Sequence, residues 1–269
     1  MTVLLAIQAA DGMVLIADGR TTKVDARPGE PATDKVAVVS DRTRKLVEVP
    51  NAPVAVMLSG RSTLAKVPAA EVTTQILNDA LDSLPTNELT VERIAKALHL
   101  GFIALVDQTD DPEIKTKPDD IEALVVGYDP VVGNPRSPKV LRVWAGQTDG
   151  VEPWLDGDPQ GVWRDGDYAA REDVAQEILW WSQEEIAEKL ELSDLPFDQP
   201  DILQRVIGDI HRYDGQSCAQ ILVHLKRELP ITISTHPYDF EVAGGQWQYI
   251  FISPRTAALP PADLELAPT

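Results

Sequence analysis

Thr2-Val3-Leu4-Leu5-Ala6-Ile7-Gln8-Ala9-Ala10-Asp11-Gly12-Met13-Val14-Leu15-Ile16-Ala17-Asp18-Gly19-Arg20 opens the chain with two apolar runs about a single turn signal. Asp11-Gly12 supplies the positive-φ positions of a tight hairpin turn, so residues 3–9 and 13–17 read as the two strands of a buried β-hairpin. Residues 45–49, the turn Pro50-Asn51-Ala52-Pro53 and residues 54–58 repeat the pattern as a second hairpin, which ends at Ser59-Gly60. Between the hairpins, residues 21–43 hold Pro28-Gly29-Glu30-Pro31 and many charges, which predicts a long solvated loop around a short strand at 36–39.

Beyond Ser62 the apolar period lengthens from two to about 3.6 residues. Val67, Val72, Ile76, Leu77 and Leu81 predict a helix over 62–83 that tolerates Pro68, and Pro85 ends it. Val91, Ile94, Ala95, Leu98, Phe102 and Leu105 fall at the spacing of a second helix. Residues 107–120 read as loop, 121–128 and 140–144 as strands, and 146–167 show no clear pattern. Helices are expected over 168–181, 184–192 and 202–210, strands at 219–225 and 231–235, and a poorly ordered Pro- and Ala-rich tail over 254–269. This order suits one α+β domain over 1–253, with paired antiparallel sheets and helices outside rather than a parallel βαβ sheet.

The chain has 269 residues, with 24 Lys and Arg against 43 Asp and Glu, a formal charge of −19. That balance repels phosphate backbones and anionic lipid, so neither nucleic acid nor a membrane is expected as a partner. The lone cysteine, Cys218, cannot form an internal disulfide and fits a reducing compartment. The first residues lack the basic flank of a signal peptide, and no apolar run reaches the roughly 18 residues of a spanning helix, so a cytoplasmic location is expected. No glycine-rich phosphate loop follows a strand, and His99, His211, His224 and His236 form no H-E-x-x-H pair. His99 reads as a helix-surface residue. Asp156, Asp158, Asp165 and Asp167 lack the spacing of a calcium loop, so no metal or cofactor is expected.

The chemistry sits at the second residue. Thr is small enough for efficient removal of Met1, which would leave a free α-amine and a hydroxyl on one residue, Thr2. An α-amine with a pKa of about 7.7–8.0 is partly unprotonated near neutrality and can take the hydroxyl proton through a bridging water. The hairpin turn folds Asp18 back toward Thr2, and Lys45 opens the next hairpin. A lysine facing a buried carboxylate is expensive unless both are paired, and such pairs are enriched where a nucleophile needs a nearby positive charge.

These residues resemble the opening of the proteasome β-subunit family of N-terminal nucleophile hydrolases. Thr2 through Asp11-Gly12 to Ala17-Asp18-Gly19-Arg20 is similar to that family's first block, with the same Thr-to-Asp separation of 16. Arg44-Lys45-Leu46-Val47-Glu48-Val49 resembles its catalytic-lysine strand, and Val56-Met57-Leu58-Ser59-Gly60 the strand whose terminal glycine faces the oxyanion. Asp214-Gly215-Gln216-Ser217 is similar to its D-x-x-S turn. The match covers about the first sixty residues, and the rest resembles the family mainly in element order.

The resemblance implies a four-layer αββα sandwich and a threonine-type peptidase or amide hydrolase. Thr2 would be the nucleophile, Lys45 the charge beside it, Asp18 the group holding Lys45 and Gly60 the oxyanion donor. Asp214 and Ser217 would support the amine, and Asp165 stands where the family carries a serine. Thr21, Thr43, Val47, Leu58 and Ser62 would line the substrate side-chain pocket and favour an apolar residue before the cut. Arg61 stands where a small residue is usual, and residues 107–120 and 192–200 read as insertions. Lys35 is a rival for the lysine role but lacks the strand-turn-strand that follows Lys45. The resemblance further implies a peptide or protein substrate and a ring-like homo-oligomer, leaving any ATPase partner undefined. A transpeptidase using the same acyl-enzyme and a non-catalytic assembly subunit are the alternatives. A serine hydrolase built on Ser217 with His211 or His224 lacks the G-x-S-x-G elbow.

Overall fold

In the computed structural model the opening runs pair as β1 (Val3–Ala9) and β2 (Gly12–Ala17), with Leu4 opposite Ala17 and Ala9 opposite Gly12. The structure describes residues 3–24, 36–82, 84–130, 138–146, 150–153, 162–166, 215–235 and 245–254. The loop expected after the hairpin begins and ends as a two-stranded ribbon, β3 (Thr21–Val24) on β4 (Val36–Ser40). The second hairpin forms as expected from β5 (Leu46–Glu48) and β6 (Val54–Gly60).

The helix expected from Ser62 starts later. Ala65 and Lys66 take positive φ values of 50° and 68° in a tight turn that joins β7 (Thr63–Leu64) to β8 (Val67–Pro68). Pro68 then caps α1 (Ala69–Leu81), because its ring cannot sit inside a helix. Thr90 caps α2 (Val91–Gln108), its hydroxyl accepting from the Arg93 N–H at 3.2 Å. The segment read as loop at 107–120 carries α3 (Pro112–Thr116) and a 3-10 turn, Pro118–Asp120.

Strands β9 (Ile121–Gly127), β10 (Lys139–Trp144) and β11 (Val151–Pro153) complete a five-stranded antiparallel sheet, in the order β11-β10-β9-β6-β5. A second, four-stranded sheet holds β12 (Val162–Gly166), β1, β2 and β13 (Gln248–Ile252), with the N-terminal hairpin at its centre. One face of the five-stranded sheet packs Val56, Leu58, Ala123, Val125 and Val143 on Leu77, Ile94, Leu98 and Phe102 of α1 and α2. Its other face sets Leu46, Ala55, Met57, Leu124 and Val126 against Leu4, Ala6, Met13, Leu15, Ile250 and Ile252 of the four-stranded sheet. Each buried Val, Leu, Ile, Met or Phe among them contributes roughly 1.5–3 kcal/mol. The protein is thus an α+β structure of antiparallel sheets.

Helix α4 (Cys218–Thr235) corrects the two strands expected at 219–225 and 231–235 and packs on β2. Its start is built by a capping box: Ser217 Oγ accepts from the Gln220 N–H at 3.3 Å, and Gln220 Oε1 accepts from the Ser217 N–H at 2.8 Å. Asp11 Oδ1 takes the Cys218 N–H at 2.7 Å, and the Ala10 N–H donates to the Gln216 carbonyl at 2.9 Å, docking the helix start on the hairpin turn. Cys218 is buried there as expected, though on a helix, and burial pushes its thiol well above the usual value. His99, expected on the helix surface, is instead on the buried side of α2, with Nδ1 2.8 Å from the Trp144 carbonyl of β10. The expected helices over 168–181, 184–192 and 202–210, and the tail from 255 on, lie outside the described residues.

Removing the cap should be felt in stability. Ser217→Ala is expected to lower the unfolding free energy in urea by about 1 kcal/mol, and Ser217→Asp to recover most of it, because Asp caps as well as Ser. An unchanged midpoint in Ser217→Ala would show that Asp11 alone anchors this helix start.

Candidate active site

The site is built where the strand ends of both sheets meet. Asp18 follows the last residue of β2 and is fully buried, and Lys45 precedes β5 with 6% of its side chain exposed. Lys45 Nζ donates to Asp18 Oδ1 at 2.6 Å and to the Arg20 carbonyl at 2.8 Å. Asp18 Oδ2 accepts the Arg20 N–H at 3.2 Å, so the chain just after β2 wraps the pair with backbone groups. A buried ion pair is tolerable only with such further hydrogen bonds. Burial pushes the Lys45 ammonium below the ordinary lysine range, and the charge and hydrogen bond of Asp18 pull it partway back.

Lys45 forms one wall of a cleft of about 40 Å³, shared with Thr21, Thr43, Leu58, Gly60, Arg61 and Ser62. A water needs roughly 10–15 Å³, so the space holds a few waters or a small side chain. Thr21 and Thr43, both lining it, share a hydroxyl–hydroxyl hydrogen bond of 2.7 Å. Gly60 is exposed on the rim with φ of 77°, and a Cβ there would lie 2.1 Å from the Asp120 carbonyl oxygen. Only glycine fits both constraints. Arg61, the large residue that follows, lines the cleft and is anchored: its N–H donates to the Asp120 carbonyl at 3.1 Å and Nη2 to the Glu113 carbonyl at 2.9 Å. The segment read as an insertion at 107–120 therefore buttresses Gly60.

Not every expected residue joins this cleft. Val47 is 1% exposed and packs in the core beneath α1 and α2, because successive strand residues face opposite ways and Leu46 faces the other sheet. Ser217 stands beside the Ala10-Asp11 turn, at the opposite end of the hairpin from Asp18. Seven residues at about 3.3 Å each put some 23 Å between that turn and Val3, so Ser217 cannot support an amine on the residue bonded to Val3. Its hydroxyl caps α4 instead. Thr2, Asp214 and Lys35 lie outside the described residues. Asp165 is described through its backbone: β12 runs antiparallel to β1 with Asp165 opposite Leu4 and Gly166 opposite Val3, on the flank away from β2.

One contributor has no counterpart among the sequence expectations. Gln248, the first residue of β13, accepts the Lys45 N–H on Oε1 at 2.9 Å and donates Nε2 to the Thr43 carbonyl at 2.6 Å. The alternation of Trp247, Tyr249 and Phe251 with Gln248, Ile250 and Ile252 is the strand signal that would have pointed to it. Among the described residues no cluster of three His, Cys, Asp or Glu could hold a metal, and no helix is long and apolar enough to cross a membrane. No family model matches the chain, and no curated protein matches it.

The lysine's titration is directly measurable. With 13Cε-labelled lysine, the resonance lost in Lys45→Arg should titrate below the other lysines; titration with or above them would show that Asp18 outweighs burial. The folded state then gives up this proton more easily than the unfolded chain. Its contribution to stability is therefore unfavourable at neutral pH and improves as pH rises from the lowered value toward about 10.4.

Proposed function

We propose that the chain is an N-terminal threonine hydrolase that cleaves peptide amides. The observation that carries this reading is the buried Lys45–Asp18 pair, joined at 2.6 Å, at the end of the hairpin where β1 begins, opening on a cleft whose rim is Gly60. A fold bears the desolvation of such a pair for little net stability, and a fixed positive charge beside a nucleophile is what it can supply. The two sheets, with α1 and α2 on one side and α4 on the other, support the four-layer αββα arrangement that this chemistry implies.

After loss of Met1, Thr2 Oγ attacks the carbonyl carbon of the scissile amide. Its proton passes through water to the Thr2 α-amine, the C–O bond forms, and the carbonyl oxygen takes the negative charge. The Gly60 N–H donates to that oxyanion. The proton then moves to the leaving amine as the C–N bond breaks, leaving an acyl-enzyme on Thr2. Water releases the acid and restores the hydroxyl; a second amine in its place would give transpeptidation. Lys45, held by Asp18, favours the unprotonated amine and the nascent alkoxide by its charge. Asp165, on β12, acts in the opposite sense if it reaches the amine, since a carboxylate raises an amine's pKa. The hydroxyls of Thr21, Thr43 and Ser62 beside Leu58 suit a small side chain before the cut, which modifies the apolar preference expected from the sequence. A homo-oligomer that shields the cleft from folded proteins, with no nucleic acid or membrane partner, completes the proposal.

Intact mass before and after a peptide epoxyketone tests the reading, because that reagent needs an amine and a hydroxyl on one N-terminal residue. The expected result is loss of Met1 and one adduct on Thr2, abolished in Thr2→Ala. Met1 retained, or lost without an adduct, would favour a non-catalytic assembly subunit. Full peptidase activity in Thr2→Ala would end the proposal.

A further inference from the structure

The stretch from Asp41 to Lys45 lies between β4 and β5 and belongs to no sheet. Its buried backbone groups must still be satisfied, and several of their partners come from Gly19 and from residues 246–248. The Thr43 N–H donates to the Gly19 carbonyl at 2.8 Å, and the Asp41 carbonyl accepts the Gln246 N–H at 2.8 Å. The approach is close: a Cβ on Gly19 would lie 2.5 Å from the Gln246 carbonyl oxygen and 2.8 Å from that of Asp41. Two further groups, the Thr43 carbonyl and the Lys45 N–H, are both taken by the side chain of Gln248. A primary amide carries a donor and an acceptor side by side, so it can bridge residues i and i+2 as a neighbouring strand would. The backbone of Gln248 pairs meanwhile with Ala17, the residue before Asp18.

We propose that Gln248 is the positioning residue for the site lysine, its backbone holding the end of the strand that leads into Asp18 and its side chain holding the backbone of Lys45. The Lys45 carbonyl is fixed separately by the Leu58 N–H at 2.8 Å, so Gln248 governs the amide on the side facing Asp18 and Gly19. With the clamp gone, residues 43–45 keep Gly19 and Leu58 as partners but lose the two hydrogen bonds that set where the Lys45 stem begins. Lys45 Nζ then samples positions away from Asp18 and from the Arg20 carbonyl, and its charge no longer stands still beside the nucleophile. The role in catalysis rests on the threonine-hydrolase reading; the hold on Lys45 does not.

Gln248→Met keeps the side-chain length and removes both hydrogen bonds, and Gln248→Glu keeps the acceptor for the Lys45 N–H while losing the donor to Thr43. Two measurements separate the outcomes: the rate of epoxyketone labelling of Thr2 against pH, well below the melting temperature, and the titration of 13Cε-labelled Lys45. Gln248→Met should slow labelling about tenfold, the effect of roughly one lost hydrogen bond expressed at the reacting centre, and should shift the low-pH limb of the profile. Gln248→Glu should fall between it and the parent protein. Both should move the Lys45 titration. A lower melting temperature with labelling rate, profile and Lys45 titration all unchanged would overturn the proposal and leave Gln248 as a brace of the fold. If the parent protein itself takes no label, the threonine reading fails, and the lysine titration alone decides whether Gln248 positions Lys45. Should Gln248→Met not fold, Gln248→Glu carries both comparisons.

Discussion

A lysine buried against an aspartate is tolerated only where the protein replaces the water that both have lost. The idealised cost of moving each ion from water into a dry interior is of order 20 kcal/mol, and even the relaxed cost is several, so attraction between the two seldom leaves a surplus. Here the replacement is specific: Asp18 takes the Lys45 ammonium and the Arg20 N–H, and the ammonium also takes the Arg20 carbonyl. Those contacts require the end of β2 and the start of β5 to meet, and these strands belong to different sheets. The apolar interface between the sheets, with Leu15, Met13, Met57 and Leu124 almost fully out of water, supplies the free energy that keeps those ends together. Core and site are in this sense one structure, since the first stabilises a contact that would not stabilise itself.

The neighbourhood of the pair is irregular for the same reason. A ladder running through residues 41–45 would continue a sheet across the cleft beside Lys45. The chain instead leaves the sheets between β4 and β5, and isolated hydrogen bonds from Gly19, Gln246 and Gln248 stand in for a ladder. Gly60 answers the same need at the end of β6, where a left-handed residue turns the chain under the Asp120 carbonyl and leaves its own backbone on the cleft rim. Regular strands bring the groups together, and broken strand ends keep them reachable.

How much of this was legible depends on how local each determinant is. The two hairpins and α2 were readable because turn chemistry and apolar period agree within a few residues. The Asp18–Lys45 contact was readable because turn geometry folds one strand end back and a lysine there has few other partners. Helix α4 was misread because Ile221, Leu222 and Val223, then Ile231 and Ile233, look like strands, while packing on β2 decides otherwise. The Ser217-Cys218-Ala219-Gln220 capping box was the local signal against that reading. Val47 was misplaced by one side-chain alternation, which sends it to the helix side of its sheet. The strand around Gln248 could have been read from its alternation, but the role of its side chain could not, since its contacts span 203 and 205 residues and nothing local marks an amide that bridges two backbone groups.

Ser217 carries the further lesson that a four-residue motif has no address. Asp-x-x-Ser serves equally as a turn, a cap or a support for an amine, and only the hydrogen bonds of residues 216–218 to Ala10 and Asp11 assign it to the far end of the hairpin. If residue 2 carries the nucleophile, its amine must find partners at the other end, among the strands that flank β1. On the β2 side Asp18 already has both oxygens engaged, by Lys45 and by the Arg20 N–H. On the other side is β12, with Asp165 and Gly166 in register with Leu4 and Val3. A carboxylate on that strand would make the amine more basic, and Lys45 on the β2 side would make it less so, so the two flanks of β1 pull its pKa in opposite directions. If residue 2 is the nucleophile, the fixed position of Lys45 is what would let its amine serve as a base near neutrality in a chain of formal charge −19.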